Sequence, residues 1–262
     1  MVLFSIIIPT YNQANLLKVA LDSLIEQSYK KWEAIVIDNF SNDSTQLVIN
    51  SYKDKRIRSF KLRNDGIIAA SRNHGIKKSK GEYICFLDSD DFWFSNKLEV
   101  INKLIPKGYN FISNGEIWIN EKNKKRIKNY DNSDKTLYKR LLLLGNNLST
   151  SAITIERKLL LNNNCFYTNA NFIGIEDYDL WLRIARDKGK NYFAIKQPLG
   201  VFRIHKEGNS RKLKRQLLSE INVLRSHFKN TNRVFILTNI FLNLRILKTF
   251  ITYFIFGNLK NL

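Results

Sequence analysis

The sequence predicts an α/β fold: a mostly parallel central sheet flanked by helices. Three observations predict it. Short apolar runs alternate with segments of helical spacing through the first hundred residues. The runs at 4–8, 34–37 and 83–87 are apolar at nearly every position, as in strands buried on both faces. Polar or acidic groups follow them at Pro9–Asn12, at Asp38 and at Asp88–Asp91, which are C-terminal strand ends, where open α/β sheets bind ligands.

The elements follow in order. Residues 4–8 form a first strand ending at Pro9. Residues 15–27 place Leu16, Leu17, Ala20, Leu21, Leu24 and Ile25 at helical spacing. Residues 34–37 are a second strand; 43–52 are a helix capped by Ser41 or Asp43. Residues 57–62 are a third strand, 67–77 a helix broken near Gly81, and 83–87 a fourth strand. The second half is less regular: helix at 97–105, strand at 109–119, a basic loop at 121–134, helix at 137–144 and strand at 151–156. The string EDYDLWLRIARDKG (176–189) sets Leu180, Trp181, Ile184 and Ala185 on one helical face, with Gly189 as the stop. A short strand at 201–204 precedes His205.

With 262 residues, 44% of them hydrophobic, and only three prolines, the chain is expected to form one compact unit with a C-terminal appendage. Cys85 lies inside the fourth strand and is expected to be a buried thiol; Cys165 is far from it. Neither a disulfide framework nor a zinc site is expected, which fits a reducing cytoplasm. The first residues read as a strand and not as a signal peptide. No stretch reaches the roughly 18 apolar residues of a membrane span. A net charge of +20 calls for anionic partners, yet no nucleic-acid module is recognisable, and acidic strand ends would repel a nucleic-acid backbone.

The string YICFLDSDDFW (83–93) carries the most chemistry. Asp88, Asp90 and Asp91 at the end of a buried strand repel one another and resist desolvation. A divalent metal on a diphosphate would compensate them; a loop capping a helix that begins near Asn96 is the alternative. Four other strings admit two readings each. Pro9, Thr10, Tyr11 and Asn12 form either a nucleotide-contacting turn or an ordinary one. Asp38 and Asn39 offer hydrogen bonds to a base edge or cap a turn. Arg72 reaches a phosphate or base, or is a surface arginine; His74 reads as structural. Glu176, Asp177 and Asp179 complement a helix dipole or supply a general base. Arg203 and His205 share a strand face and, with Lys206, would hold a diphosphate or complete a metal shell.

Taken in order, IIIPTYN (6–12), DNFSNDST (38–45), ASRNHGI (70–76), FLDSDD (86–91), EDYDLWLR (176–183) and FRIH (202–205), with Asn209 and Ser210, resemble the motifs of family 2 glycosyltransferases. The resemblance covers residues 4–210. It implies the GT-A fold, a Rossmann-like sheet, and an inverting transfer from a nucleoside-diphosphate sugar to a hydroxyl of a glycan or lipid-linked acceptor in surface polysaccharide biosynthesis. Asp90 is then the metal ligand in a DxD motif for Mn²⁺ or Mg²⁺, and Asp88 and Asp91 touch ribose or metal. Asp177 is the base and Glu176 shapes the acceptor pocket. Arg203 and His205 are diphosphate ligands, with His205 also in the metal shell. Pro9, Thr10, Tyr11, Asp38, Asn39 and Arg72 line the nucleotide pocket. Many relatives carry two consecutive acids where this chain has Asp38 and Asn39, so dTDP and GDP stand beside UDP as donor nucleotides. An inactive nucleotide-sugar-binding relative is the competing reading, and the presence of Asp90 and Asp177 argues against it. A nucleotidyltransferase would show a glycine-rich loop where PTYNQANLL (9–17) stands.

The implied division is a transferase domain at 1–210, with a nucleotide-sugar half (1–95) and an acceptor half (96–210), then a basic amphipathic helical tail at 211–262. The tail's 233–257 segment is apolar but interrupted by Asn239, Asn243, Arg245 and Lys248. It is expected either to lie on an anionic membrane surface or to pack on the domain or a second subunit. The location expected is cytoplasmic, peripheral on the inner face of the plasma membrane.

Overall fold

The structure, a computed structural model, describes residues 2–169, 172–204 and 213–229 and residues 243, 244, 247 and 251. Strands β1 (Phe4–Thr10), β2 (Trp32–Asp38), β3 (Ile57–Lys61) and β4 (Tyr83–Phe86) alternate with helices α1 (Ala14–Ile25), α2 (Thr45–Ser51) and α3 (Ile68–Lys78). These four strands run parallel in the order β3-β2-β1-β4. The chain steps outward from β1 to β3, then returns to β4 on the other side of β1, so the strand order reverses there. That reversal opens a crevice beyond the strand ends.

Every residue of β1 and β2 is buried. Their side chains alternate between two cores. Phe4, Ile6 and Ile8 pack with Leu17, Leu21 and Leu24 of α1, whereas Ile7, Ile35 and Ile37 pack with Ala69 and Ile76 of α3. Gly75 lets α3 rest on β1, since a Cβ there would meet Ile7 Cγ2 at 2.5 Å.

The second half supplies β5 (Phe92–Trp93), α4 (Lys97–Asn102), β6 (Phe111–Asn120), β7 (Lys125–Lys128), α5 (Leu137–Leu144), β8 (Ile153–Glu156), α6 (Arg157–Asn162), α7 (Glu176–Arg186), β9 (Tyr192–Ile204) and α8 (Leu213–Lys229). The sheet continues as β4-β8-β6-β9-β5, with β7 paired to β6. β8 is antiparallel to both neighbours and β9 is parallel to β6, so the sheet is parallel on one side and mixed on the other.

Several segments differ from expectation. The helix expected over 97–105 ends at Asn102, and a 3₁₀ turn, Ile105–Lys107, follows with Pro106 in it. The loop expected over 121–134 contains β7, a lysine-bearing edge strand. The strand expected over 201–204 is the end of a thirteen-residue β9. Lys196, Gln197 and Pro198 hide it from a periodicity reading, and they sit where the β6–β9 register shifts.

Val223 and Leu224 of α8 enter the same core as Trp181 of α7, and His227 Nε2 lies 3.1 Å from Asp179 Oδ1. Residues 213–229 therefore lie against α7. Among the described residues no helix is long and apolar enough to cross a membrane. His205, Lys206, Asn209, Ser210 and most of the 233–257 segment lie outside the described residues. Cys85 is buried, 3.2 Å from Thr154 Oγ1, and burial pushes its thiol up to about 11.

Candidate active site

A cleft of about 830 Å³ opens at the strand ends around the switch point. Pro9, Thr10, Tyr11, Asn39, Arg72, Asp88, Asp90, Glu176, Asp177 and Arg203 all border it. The sequence drew these from distant strings, and the fold brings them to one cavity. Asp38 and Asp91 do not border it.

β4 delivers the acidic turn. Asp88 and Asp90 face the cleft. Asp91 turns inward and is 1% exposed. Its Oδ1 accepts the Arg203 N–H at 2.9 Å and its Oδ2 accepts the Ser151 hydroxyl at 2.6 Å. Burial, then the charges of Asp90 and Asp88, push its carboxyl well above the usual range. The expectation put Asp91 on ribose or metal. In the structure its hydrogen bonds with Ser151 and Arg203 clamp the acidic turn to β9. Lys97 lies behind it, fully buried. Its Nζ donates to Ser151 O at 2.8 Å and lies 3.9 Å from the Trp93 ring centroid. Burial pulls its ammonium down to about 8.

Arg72 is no surface arginine, being 3% exposed. Its guanidinium donates to Asp88 Oδ1 and to Glu176 Oε1, each at 2.8 Å. It ties the acidic turn to the first turn of α7. Glu176 Oε2 also accepts the Gly174 N–H at 2.8 Å. The neighbouring Asp177 faces the cleft. Its Oδ2 accepts from Asn146 Nδ2 at 3.1 Å and Thr150 Oγ1 at 3.2 Å. Burial and then Glu176 raise its carboxyl to about 6, against the downward pull of Arg72.

At the other end, Thr10 and Asp38 are register partners on β1 and β2. Asp38 Oδ1 accepts both the N–H (3.0 Å) and the hydroxyl (2.6 Å) of Ser41. Ser41 Oγ in turn accepts the Asn12 N–H at 2.9 Å, which braces the two loops together. Asp38 was expected in the pocket lining; it lies below it because this brace turns it inward. Among the described residues Asp38 Oδ2 and Thr10 Oγ1 are buried without a hydrogen-bond partner. Asn39 Oδ1 accepts the Asn64 N–H at 2.9 Å and so positions the 64–66 loop in the wall. Tyr11 stands at the rim, 54% exposed. His74 packs edge-on to Phe60. The Arg203 guanidinium lies 5.0 Å from the Phe92 ring centroid.

Among the described residues no three His, Cys, Asp or Glu side chains converge as metal ligands. A Mg²⁺ or Mn²⁺ ion on a diphosphate needs only one or two protein carboxylates, with phosphates and water supplying the rest. Asp90, two residues past Asp88, fits that sparse donor set; an all-protein cage does not.

Sequence reasoning missed Gln13, whose Oε1 accepts the Ser89 hydroxyl at 2.5 Å. It also missed Trp118, residues 146–150, and Ser151 behind them. Trp118 borders the cleft with its ring 5.0 Å from that of Phe202. No local pattern marks these residues; only the packing of β6, β9 and the loop before β8 brings them together.

The curled mixed sheet, parallel at β3-β2-β1-β4, with a switch-point cleft bordered by acids, has the GT-A fold of the solved structures it matches. The chain belongs to glycosyl transferase family 2: the model described as Glycosyl transferase family 2 matches residues 5–174. It is a glycosyltransferase. It is 33% identical over 187 residues to the UDP-Glc:alpha-D-GlcNAc-diphosphoundecaprenol beta-1,3-glucosyltransferase WfgD of Escherichia coli, covering 71% of this chain and 70% of that protein. The structure of S. aureus TarS 1-349 in complex with UDP-GlcNAc matches at TM-score 0.74 and 18% identity, over 92% of this chain and 70% of that one. The mannosyltransferase PcManGT from Pyrobaculum calidifontis, in complex with GDP-Man and Mn2+, matches at TM-score 0.64 and 19% identity, over 95% and 72%. At these identities the two structures bear on fold alone.

Proposed function

We propose that this glycosyltransferase moves a sugar from UDP to a hydroxyl of a lipid-diphosphate-linked glycan, with inversion at the anomeric carbon. Asp177 carries the reading. It is a carboxylate that borders the cleft, poised to about 6, and suits a base working near neutral pH. It takes the proton of the acceptor hydroxyl as that oxygen bonds to the anomeric carbon and the bond to the diphosphate breaks. Glu176 and Arg72 position it. Asp90, with Asp88 beside it and His205 as expected from the sequence, would hold Mn²⁺ or Mg²⁺, which supplies positive charge to the departing diphosphate. Arg203 adds a fixed cation at the cleft. Thr10 borders the cleft at the β1–β2 end, and its hydroxyl, which has no hydrogen-bond partner among the described residues, supports a nucleobase there. The named activity of the E. coli relative supports UDP and a lipid diphosphate.

The division into a donor half (1–95), an acceptor half (96–210) and a tail (211–262) belongs to the same proposal. So does peripheral attachment at the inner face of the plasma membrane. The charge of +20 and the exposed Leu244, Leu247 and Ile251, at helical spacing, support it. Transfer from UDP-, dTDP- and GDP-sugars to a glycan on a lipid diphosphate tests the reading. Transfer from one UDP-sugar, lost in Asp177→Asn, is expected. UDP binding with no transfer from any donor points instead to a binding-only relative.

A further inference from the structure

We infer that the β6–β7 hairpin carries an anion subsite, formed by Arg126 and Lys128 beside Trp118, that takes the diphosphate of the acceptor. The inference rests on the lipid-diphosphate reading above and adds the residues that recognise it. Across the hairpin, Trp118 is the partner of Arg126 and Glu116 the partner of Lys128. Partners across a strand pair present their side chains to the same face, so both cations share the face of Trp118, which borders the cleft. Lys128 Nζ lies 5.5 Å from the Trp118 ring centroid and 5.9 Å from that of Tyr130.

Two cations two residues apart on one face repel each other, and Lys128 is pulled below the usual lysine range by burial and then by Arg126. Glu116, the acid nearest in register, offsets this only in part. Glu116 accepts from the Ser149 hydroxyl, the Tyr130 hydroxyl and Trp118 Nε1, and burial raises its carboxyl. Among the described residues neither Arg126 nor Lys128 has an acidic partner within ion-pair distance. A diphosphate ester, with two adjacent anionic groups, matches this pair of cations. The acceptor sugar then rests against Trp118 with its hydroxyl toward Asp177, and its diphosphate leaves the cleft over the hairpin.

The test uses the full chain, its UDP-sugar donor and two synthetic acceptors that carry the same sugar, one on an alkyl diphosphate and one on a neutral alkyl glycoside. The double variant Arg126→Ala/Lys128→Ala should raise KM for the diphosphate acceptor roughly tenfold or more, the scale of lost charge-assisted hydrogen bonds. KM for the neutral acceptor and for the donor should stay put. Lys125→Ala, on the other face of β7, should change none of them. Equal losses on both acceptors, or no loss, overturn the inference. If neither acceptor is used, the function reading has failed, and the subsite is read directly by titrating an alkyl diphosphate into UDP-saturated protein: roughly tenfold weaker binding in the double variant supports it, equal binding overturns it. Loss of binding to phosphatidylglycerol vesicles with the diphosphate KM unchanged also overturns it, making the hairpin a membrane contact.

Discussion

Replacing Arg72 with methionine removes the tie between the two halves of the site while keeping most of the apolar stem. Arg72 and Glu176 side chains are 4% and 7% exposed, with their ion contact at 2.8 Å. Taking one partner from so buried a pair costs about 3–5 kcal/mol, because the other charge is stranded. Asp88, 26% exposed, can be rehydrated and adds less than about 1 kcal/mol. In a chain of this size each kcal/mol moves Tm by about 2–4 °C, so a fall of roughly 6–24 °C is expected in a thermal melt. Adding Glu176→Gln to Arg72→Met removes the stranded charge and should restore most of the loss. The comparison is Lys18→Ala, which breaks an exposed helix pair with Asp22 and should cost only about 0.3–0.5 kcal/mol. If Arg72→Met costs no more than Lys18→Ala, the bridge does not hold the site together.

Three further outcomes are expected. Asp177 has its carboxyl raised to about 6, so kcat/KM should climb as pH rises through 6, while folding stability falls between the ordinary value of 3.8 and about 6, where the unfolded state has released the proton that the folded state still holds; Asp177→Asn should erase both trends and cost roughly 10²–10⁴ in rate. Lys97, lowered to about 8, binds its proton less tightly folded than unfolded, so urea melts should show wild type gaining up to about 3 kcal/mol over Lys97→Met between pH 8 and 10.4; a flat difference refutes the buried-amine account. Asp90→Asn should raise the Mn²⁺ concentration for half-maximal transfer at least tenfold, whereas Asp91→Asn, whose parent carboxylate serves Ser151 and Arg203, should leave it nearly unchanged.

Much of the first hundred residues was legible because each element there announces itself. The strands are apolar at almost every position and the helices between them show one apolar stripe. Strand ends in such a sheet converge, so reading β1, β2 and β4 also located Thr10, Asp38 and Asp88. The second half of the chain hid its strands. β9 crosses a polar bulge at Lys196–Pro198, β7 is four polar-edged residues, and β5 has two. Trp118 and the 146–150 loop reach the cleft through those elements, so no spacing in the sequence marks them.

The acidic turn shows what a string of carboxylates does and does not decide. Three acids at a buried strand end require positive charge nearby, and from the sequence alone an external metal is the natural supplier. The fold supplies two cations of its own. Arg72 meets Asp88, and Lys97 lies behind Asp91, whose oxygens accept from Ser151 and Arg203. Of the three, Asp88 and Asp90 border the cleft and Asp91 does not. The proposed metal site is therefore placed on the cleft-facing side of the turn, which is why the contrast between Asp90→Asn and Asp91→Asn discriminates. A metal bound by the cluster as a whole would lose affinity in both variants; one held on the donor diphosphate by Asp90 loses it in one.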